Sequence, residues 1–380
     1  MKYIKEFRDP EKAKTVLQEI EQLTQQLNAT AENPIRLMEV CGGHTHTIFK
    51  FGLEELLPRG IDLIHGPGCP VCVLPMNRVD DCVAIAERKD VILTTFGDAM
   101  RVPGSRKSLL QAKAAGQDIR MVYSPMDALQ LARDNPERNI VFFGLGFETT
   151  MPSTAFTVLQ AKEEGIRNFF LFCNHITIIP TLRAILADSD LRLDGFIGPG
   201  HVSMIIGTEG YDFIASEHRK PFVVAGFEPL DILQSVWMLL KQFEEQRCEV
   251  ENQYRRVVPT QGNLAAQQAM DQVFQLREQF EWRGLGSIPE SGVEMRPEFV
   301  DFDAEKVFAV RDVPVVDPAE CQCGEVLKGR LKPWQCQVFG KSCTPDNPIG
   351  ALMVSSEGAC AAYYNYGSRW REQAEAEATL

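Results

Sequence analysis

The residues Ile35-Arg36-Leu37-Met38-Glu39-Val40 are followed directly by Cys41-Gly42-Gly43-His44-Thr45-His46, and this junction decides the fold class. The first six residues form a short apolar run without strict alternation, which is typical of a buried parallel strand. The two glycines that follow predict a tight turn into a helix. Seven more runs of this kind, separated by glycine-rich turns and helical stretches, lie at 61–64, 91–95, 119–123, 140–143, 169–172, 195–197 and 222–225. The sequence therefore predicts an α/β protein built from βαβ units with parallel sheets.

An internal repeat accompanies these runs. Cys41 is followed 25 residues later by Gly66-Pro67-Gly68, and Cys173 is followed 25 residues later by Gly198-Pro199-Gly200. Both landmarks are offset by 132 residues. We therefore expect two similar α/β domains that follow one another along the chain. The alternative is a chance similarity, because a strand followed by a glycine turn and a helix is a common sequence texture.

Four cysteines near the C-terminus are spaced C-x12-C-x6-C-x16-C among glycines and prolines. Four thiolates brought together by loops hold either a tetrahedral zinc ion or a cubane iron–sulfur cluster. Structural zinc sites favour two tight C-x2–4-C pairs, which this segment lacks, so the spacing favours a 4Fe–4S cluster. Zinc and incidental buried cysteines are the alternatives. The predicted ligands are Cys323, Cys336, Cys343 and Cys360, and Cys321 competes with Cys323 for one position.

The composition changes near Asp231, where polar helical sequence rich in Gln and Glu begins, followed by loop-rich sequence with many prolines. We interpret this part as a third, mainly helical and loop domain that carries the iron–sulfur site. The predicted units are an N-terminal helix packed on the third domain (1–30), a first α/β domain with a thiol site (31–135), a second α/β domain (136–230) and a C-terminal 4Fe–4S cluster domain (231–380).

The net charge, the hydropathy pattern and the cysteine count exclude several classes of function. The 380 residues carry a formal net charge of −13, which argues against nucleic acid or an anionic membrane as a general partner and leaves a basic protein partner open. The N-terminus has no apolar core of a signal peptide, and the longest apolar stretch, 169–180, is too short to span a membrane. We expect a cytoplasmic protein. Eleven cysteines there indicate metal ligands, redox thiols or buried small side chains.

Two thiol motifs stand where strands end. A thiol such as Cys41, on a glycine turn at the start of a helix, is expected to have a lowered pKa, and His44 is placed to move protons or bind metal. The pair Cys69-Pro70-Val71-Cys72 is typical of a dithiol–disulfide couple or of two ligands for a soft metal. The plainer interpretations are a buried cysteine beside solvated histidines and half of a structural zinc knuckle.

Two more strand-end loops carry charged side chains. Residues 144–150 (GLGFETT) lack the Lys-Ser/Thr ending of a phosphate loop, so Glu148 is interpreted as a base or as a hydrogen-bonding partner across a cleft. Its alternative role is a helix-start carboxylate. In the loop after 91–95, Asp98 and Arg101 either serve a site or pair with each other.

Taken together, these motifs resemble one family, the HypD family of nickel–iron hydrogenase maturation factors. The resemblance covers residues 35–366. No single motif is specific for the family, but the combination of motifs is. The matching stretches are 41–46 (CGGHTH), 66–72 (GPGCPVC), 95–98 (TFGD), 146–150 (GFETT) and 353–364 (MVSSEGACAAYY), together with the four-cysteine tail.

The resemblance implies a role in building the Fe(CN)2CO centre of nickel–iron hydrogenase, as a scaffold and electron donor. Members of the family work with a small HypC-type chaperone and receive cyanide from a HypE-type donor. Carried over to this chain, Cys41, Cys69 and Cys72 bind or redox-couple to a transient iron, with His44 assisting and Glu148 in the same cleft. The four C-terminal cysteines hold the 4Fe–4S cluster. No conventional turnover reaction is assigned.

The rival hypothesis is a stand-alone iron–sulfur oxidoreductase that passes electrons to a disulfide substrate through Cys69 and Cys72. It explains the cluster and the C-x-x-C pair, but it explains the Cys41 motif and the duplicated cleft less well. For either function, the repeat predicts that the loops at Cys41, Cys69, Glu148 and His201 open onto one groove. The cluster, in a separate domain, is expected to lie further away.

Overall fold

The structure is a computed structural model that describes residues 5–188, 190–311, 313 and 315–367. The outer ends of the first and last predicted domains, residues 1–4 and 368–380, lie outside the described residues. The strands of the described chain are β1 (Ile35–Glu39), β2 (Ile61–His65), β3 (Val91–Thr95), β4 (Ile119–Met121), β5 (Asn139–Gly146), β6 (Phe169–His175), β7 (Gly195–Pro199), β8 (Phe222–Ala225), β9 (Val250–Asn252), β10 (Phe274–Leu276), β11 (Gln279–Trp282), β12 (Gly286–Pro289) and β13 (Val293–Met295).

The helices alternate with the strands over most of the chain. They are α1 (Pro10–Gln26), α2 (Gly42–Lys50), α3 (Leu53–Leu56), α4 (Met76–Ala86), α5 (Leu109–Ala114), α6 (Pro125–Asp134), α7 (Met151–Glu163), α8 (Ile178–Leu186), α9 (Gly200–Ile206), α10 (Asp212–Ser216), α11 (Pro229–Glu244), α12 (Leu264–Val273), α13 (Ala304–Val307), α14 (Cys323–Leu327) and α15 (Ala359–Tyr366). None of these described helices is long and apolar enough to cross a bilayer.

Two parallel sheets form the centre of the protein. The first has the strand order β2-β1-β7-β8-β9 and the second has the order β4-β3-β5-β6. All pairs within both sheets are parallel. Each of the eight predicted apolar runs forms one of strands β1 to β8, and the α/β class with parallel βαβ units is confirmed. Most of these strands are buried on both faces because helices cover both, which explains why their sequences do not alternate. The edge strand β4 is the exception, since Met121 is exposed.

The strand pairing crosses the predicted boundary between residues 135 and 136. Strands β1 and β2 pair with β7 and β8 in the first sheet, so the predicted domains 31–135 and 136–230 share that sheet. The second sheet, β3 to β6, is inserted in the chain between β2 and β7. An apolar run in the sequence identifies a buried strand, but it does not identify the neighbouring strand in the sheet. The connection between two adjacent parallel strands can contain a whole folded unit, as it does here between β2 and β7.

The two sheets are nevertheless wound alike. In each, the chain begins with an inner strand, steps outward on one side, and then continues on the other side of the first strand. The equivalent strands by this winding are β1 and β3, whereas the 132-residue repeat matches β1 with β6. The sequence repeat therefore does not mark topologically equivalent positions. The winding creates two topological switch points, between β1 and β7 and between β3 and β5.

The predicted third domain is also divided. Helix α11 packs on β7 and β8 and contacts α1, and β9 extends the first sheet, so residues 229–252 belong to the first α/β unit. The N-terminal helix thus packs on this unit. The later elements α12, β13 and α13 pack against α7 and β6 of the second sheet. The cysteine segment lies in the same apolar core as Cys69 and Cys72, so it is not a separate body.

A buried ionic cluster ties this C-terminal part to the second α/β unit. The carboxylate of Glu305, on α13, accepts hydrogen bonds from Arg78 on α4 and from Arg277, with Arg277 Nη1 at 3.2 Å from Glu305 Oε2. The Arg78 side chain is 3 % exposed and Glu305 is 15 % exposed. Burial raises the pKa of Glu305, but Arg78 and Arg277 outweigh it and hold that pKa below its ordinary value.

We predict that Glu305→Ala lowers the free energy of unfolding by about 3–5 kcal/mol, because it leaves two buried guanidinium groups without their counterion. Urea denaturation followed by circular dichroism measures this loss. The exposed Glu298→Ala is the control and should change stability by no more than about 0.5 kcal/mol. Equal stabilities for the two variants would contradict a structural role for the cluster.

Candidate functional site

The two switch points open onto one cavity of about 510 Å³. Ligands of doubly wound sheets bind at such points because the loops there diverge and leave a crevice. The first sheet contributes the loops after β1, β2 and β7, and the second contributes the loops after β3, β4 and β5. The polar lining residues are Cys41, Cys69, Asp98, Tyr123, Thr149, Thr150, His201, Ser355 and Glu357.

Cys41 and the C-x-x-C pair meet at the first switch point. Cys41 is the N-cap residue of α2, and the N–H of Gly42 donates to the carbonyl of Gly68 at 3.0 Å. A side chain at Gly68 would overlap the backbone of Cys41, so only glycine allows this close approach. Cys69 and Cys72 form a disulfide with Cα atoms 5.3 Å apart. Cys41 and Cys69 line the cavity, and Cys72 is buried behind it.

A buried carboxylate holds this arrangement in place. Glu39, at the end of β1, is fully buried, and its Oε2 accepts the backbone N–H of Cys41 at 3.0 Å. Its Oε1 accepts from Thr45 Oγ1 on α2 and from His65 Nδ1 at the end of β2, the latter at 2.8 Å. Three elements that meet at the switch point are thus bonded to one side chain.

The surroundings of Cys41 correct one expectation. Burial raises the pKa of the Cys41 thiol well above its ordinary range, and the carboxylates of Glu357 and Glu39 raise it further. The start of α2 does not offset these effects. Without a metal cation the Cys41 thiol is therefore protonated. A bound cation deprotonates a coordinating thiol.

Acidic side chains give the cavity its charge. Glu357 is packed against Gly42, and burial raises its pKa, with Asp98 and Glu39 adding to the shift. Asp98 Oδ2 accepts from Ser355 Oγ at 2.9 Å, and Arg101 donates to the carbonyl of Pro345. Of the two alternatives for these residues, the mutual Asp98–Arg101 pair is therefore not the arrangement found. No Lys or Arg is among the described residues that line the cavity, so it is electronegative.

Two histidines flank the cavity in different ways. His44 is fully buried, its Nε2 donates to the carbonyl of Ala225 at 3.2 Å, and its ring stacks on Phe227. His44 does not line the cavity, whereas His201 does, and His201 also stacks on Phe227, with ring centroids 3.7 Å apart. Burial lowers the pKa of both, to about 4 for His201. At neutral pH both rings are uncharged, which suits metal binding and hydrogen bonding more than proton donation.

Glu148 is a predicted site residue whose side chain lies outside the thiol cavity. Its Oε1 accepts the N–H of Ile178 at the start of α8, at 3.0 Å, and its side chain lines a second, mostly apolar cavity of about 850 Å³. Its neighbours Phe147, Thr149 and Thr150 line the thiol cavity. A side chain at Gly146, with φ +149°, would overlap Thr150 Oγ1, so this position requires glycine. The turn there places Glu148 in one cavity and its neighbours in the other.

The C-terminal cysteines gather around a separate small cavity. Its thiols are Cys321, Cys323, Cys336, Cys343 and Cys360. The other lining side chains are apolar, so sulfur is the only side-chain donor atom in the lining, as soft iron–sulfur clusters require. The cavity measures about 10 Å³, so a cluster is admitted only if the sulfurs spread apart. Within the described part of the chain, no three His, Cys, Asp or Glu side chains are arranged around a single metal ion.

The segment that carries these thiols contacts the disulfide. Gly358, two residues before Cys360, packs against Cys72, since an added Cβ there would lie 2.9 Å from Cys72 Sγ. The short helical turns 71–73 and 351–353 also pack together. The cysteine segment thus forms part of the wall behind the cavity and shares its core. The greater distance of a cluster from the cavity thiols stays a prediction.

Comparison with known proteins agrees with these features. A family model described as "HypD: Hydrogenase formation hypA family" matches residues 11–367. The chain belongs to the HypD family. It is 60% identical over 371 residues to the hydrogenase maturation factor HypD of Rhodobacter capsulatus, covering 97% of this chain and 98% of that protein. The HypD of Escherichia coli K12 is 58% identical over 366 residues, covering 96% and 98%. HypD2 of Bradyrhizobium diazoefficiens is 50% identical over 386 residues, covering 100% of each.

Within this HypD-family chain, sequence reasoning overlooked Glu357 as a site residue and gave Glu39 no role. Each residue has a feature in the sequence that could have identified it. Glu357 is the only charged residue between Ala351 and Ala362, and Glu39 is a carboxylate inside an apolar strand. Buried charges are retained mainly where they are paired or functional. His201 was expected in the groove but was not assigned a role.

The pKa of Glu148 gives a pH-dependent prediction. Burial raises it to about 7, above the ordinary value of about 4.3 in an unfolded chain. A raised carboxyl pKa contributes stability that is complete below the unfolded value and is lost as the pH rises through about 7. Glu148→Gln should therefore gain about 2–3 kcal/mol relative to the unmodified protein between pH 5 and pH 8.

Paired urea titrations at several pH values measure this difference. Glu290→Gln, an exposed carboxylate at the rim of the same cavity, is the control and should show no such trend. A stability difference for Glu148→Gln that stays constant with pH would show that the carboxyl is not buried as described.

Proposed function

We propose that the chain assembles the Fe(CN)2CO centre of nickel–iron hydrogenase in the cytoplasm, as an iron scaffold and electron donor. The observation that carries this proposal is the meeting of Cys41 with the Cys69–Cys72 pair in an acidic cavity. Membership of the HypD family, whose named relatives are hydrogenase maturation factors, supports the same conclusion.

The lining chemistry suits an iron cargo. Cys41 supplies a soft thiolate once a cation displaces its proton, and soft ligands suit the low-spin ferrous state that cyanide and carbon monoxide favour. Glu357 and Asp98 provide negative charge beside Cys41, with no lining cation to compete. Thr149 lines the opposite wall, where its hydroxyl would order diatomic ligands and water around the metal, while the Thr150 hydroxyl is bonded within its own loop and to His175.

The Cys69–Cys72 pair adds a redox function. Its reduction to two thiols consumes two electrons and two protons, and the thiols then become ligands for the iron beside Cys41. When bound, a 4Fe–4S cluster supplies electrons one at a time. The residues that would hold it are Cys323, Cys336, Cys343 and Cys360. Support for this comes from the all-sulfur donor set and from the contact between Gly358 and Cys72.

The cavity rim supports a protein partner. Tyr123 is 86 % exposed and Met121 is 50 % exposed, and both lie at the mouth beside Phe96 and Gly97. Exposed aromatic and Met side chains at a concave site are typical of interfaces. We infer that a HypC-type chaperone docks at this rim and that a HypE-type donor delivers cyanide through it. His44 would act from behind, by holding Phe227 and the loop after β8.

Infrared spectroscopy tests the proposal most directly. The chain co-purified anaerobically with its small chaperone from cells that make nickel–iron hydrogenase should show cyanide and carbonyl stretching bands. Cys41→Ala in the same preparation should show none. A complex that contains the cluster but lacks these bands would favour a stand-alone thiol–disulfide oxidoreductase.

The cavity thiols should be needed for function but not for folding. We predict that Cys41→Ala, Cys69→Ala and Cys72→Ala each reduce hydrogenase maturation to background, because each removes an iron ligand or breaks the redox pair. The measurement is hydrogenase activity in cells that lack the native factor. Cys248→Ala, a thiol outside the cavity, is the control and should mature hydrogenase normally. Normal maturation by the three cavity variants would refute the site.

The cluster has its own prediction. Anaerobically purified protein should contain about four irons per chain. Cys336→Ala, Cys343→Ala or Cys360→Ala should lose most of this iron and weaken the C-terminal segment, since ligation is coupled to folding. Iron and acid-labile sulfide analysis measures the content, with Cys248→Ala as the matched thiol control. Stoichiometric zinc in place of iron would overturn the assignment.

A further inference from the structure

One corner of the C-terminal thiol cavity holds two sulfurs. The Sγ of Cys321 donates to the Sγ of Cys323 at 3.2 Å. Both sulfurs also contact Gly350, where an added Cβ would overlap each of them. Two thiols that touch the same glycine and each other occupy the same side of the cavity.

The other three thiols enter the cavity from separate positions. Cys336 follows the short helical turn 333–335, Cys343 lies in the following loop, and Cys360 is in the first turn of α15. A cubane cluster takes one cysteine per iron, which makes four ligands. Five thiols therefore serve four positions. Cys323 is also hydrogen-bonded to Cys360, but Cys360 is held on a different helix, α15. Cys321 and Cys323 lie two residues apart and both touch Gly350, so they are the pair placed to share one position.

We infer that Cys321 and Cys323 are interchangeable ligands for the same iron, an inference that rests on the proposed cluster. In the exchange, the incoming sulfur forms its iron–sulfur bond as the bond to the outgoing sulfur breaks. The proton of the incoming thiol passes to the outgoing thiolate along the sulfur–sulfur hydrogen bond. Charge and oxidation state are unchanged, so no external oxidant or reductant is needed.

The two ligands give the site different surroundings. Cys323 is buried at the start of α14, whereas Cys321 is half-buried on the loop that precedes it. Solvent exposure and hydrogen bonds to sulfur tune an iron–sulfur centre. A site held through Cys321 should therefore differ in its spectrum from one held through Cys323, although it contains the same number of irons.

The experiment uses the full chain, purified anaerobically, in five forms: unmodified, Cys321→Ala, Cys323→Ala, the double variant Cys321→Ala/Cys323→Ala, and Cys336→Ala as the reference for a lost ligand. Iron and sulfide per chain are measured, with electron paramagnetic resonance of the reduced protein. Both single variants should keep the iron and sulfide of the unmodified chain. The double variant should lose most of both, as Cys336→Ala does, and Cys323→Ala alone should show a changed resonance line shape.

Three results would overturn the inference: loss of the cluster in Cys323→Ala, its loss in Cys321→Ala, or its retention in the double variant. Circular dichroism checks that each variant is folded, and Cys323→Ser replaces Cys323→Ala if the alanine variant is not. An unmodified chain without iron would refute the proposed cluster itself. That outcome is distinct from an iron-containing chain whose single variants lose it.

Discussion

The carboxylate of Glu39 is the interaction on which the site depends. It is fully buried at the end of β1, and it binds the N–H of Cys41, the hydroxyl of Thr45 and the ring of His65. A buried carboxylate is stable only when its oxygens are satisfied in this way. Because these partners belong to β1, β2 and α2, the position of Cys41 is fixed before any ligand arrives. The same negative charge helps to keep the Cys41 thiol protonated until a cation binds.

The two switch points face each other, and their loops surround the Cys41 thiol. The first sheet supplies thiols and His201, and the second supplies Asp98, Thr149 and Thr150. The C-terminal segment closes the space with Glu357 and Ser355. Under the proposed function, the metal would be held by the thiols of one wall and its exogenous ligands would face the hydroxyl groups of the other, so different parts of the chain would hold them. Such a division lets each wall be optimised for one task.

Much of the fold was readable from the sequence, because a buried parallel strand such as Val91–Thr95 is apolar on both faces and cannot be mistaken for a surface element. The gathering of Cys41, Cys69 and His201 was also predicted, since strand-end loops share one edge. The nesting of the second sheet inside the first was not predictable, because Gly66-Pro67-Gly68 and Gly198-Pro199-Gly200 report local turns and not strand order. The direction of Glu148 depends on the turn at Gly146. The raised pKa of Cys41 depends first on burial in the folded chain and then on Glu357, 316 residues away in sequence.

The nested connectivity has a mechanical consequence. The chain passes from one sheet to the other after β2, returns before β7, and passes again after β9, and α15 then packs on α2 of the first unit. Two halves of a protein joined by a single linker can rotate about it, whereas halves joined by several chain crossings and a common core can move apart only by disturbing packed contacts. The nested connectivity therefore favours a cavity whose two walls keep their spacing. The size and shape of what is presented at the rim then decide what enters.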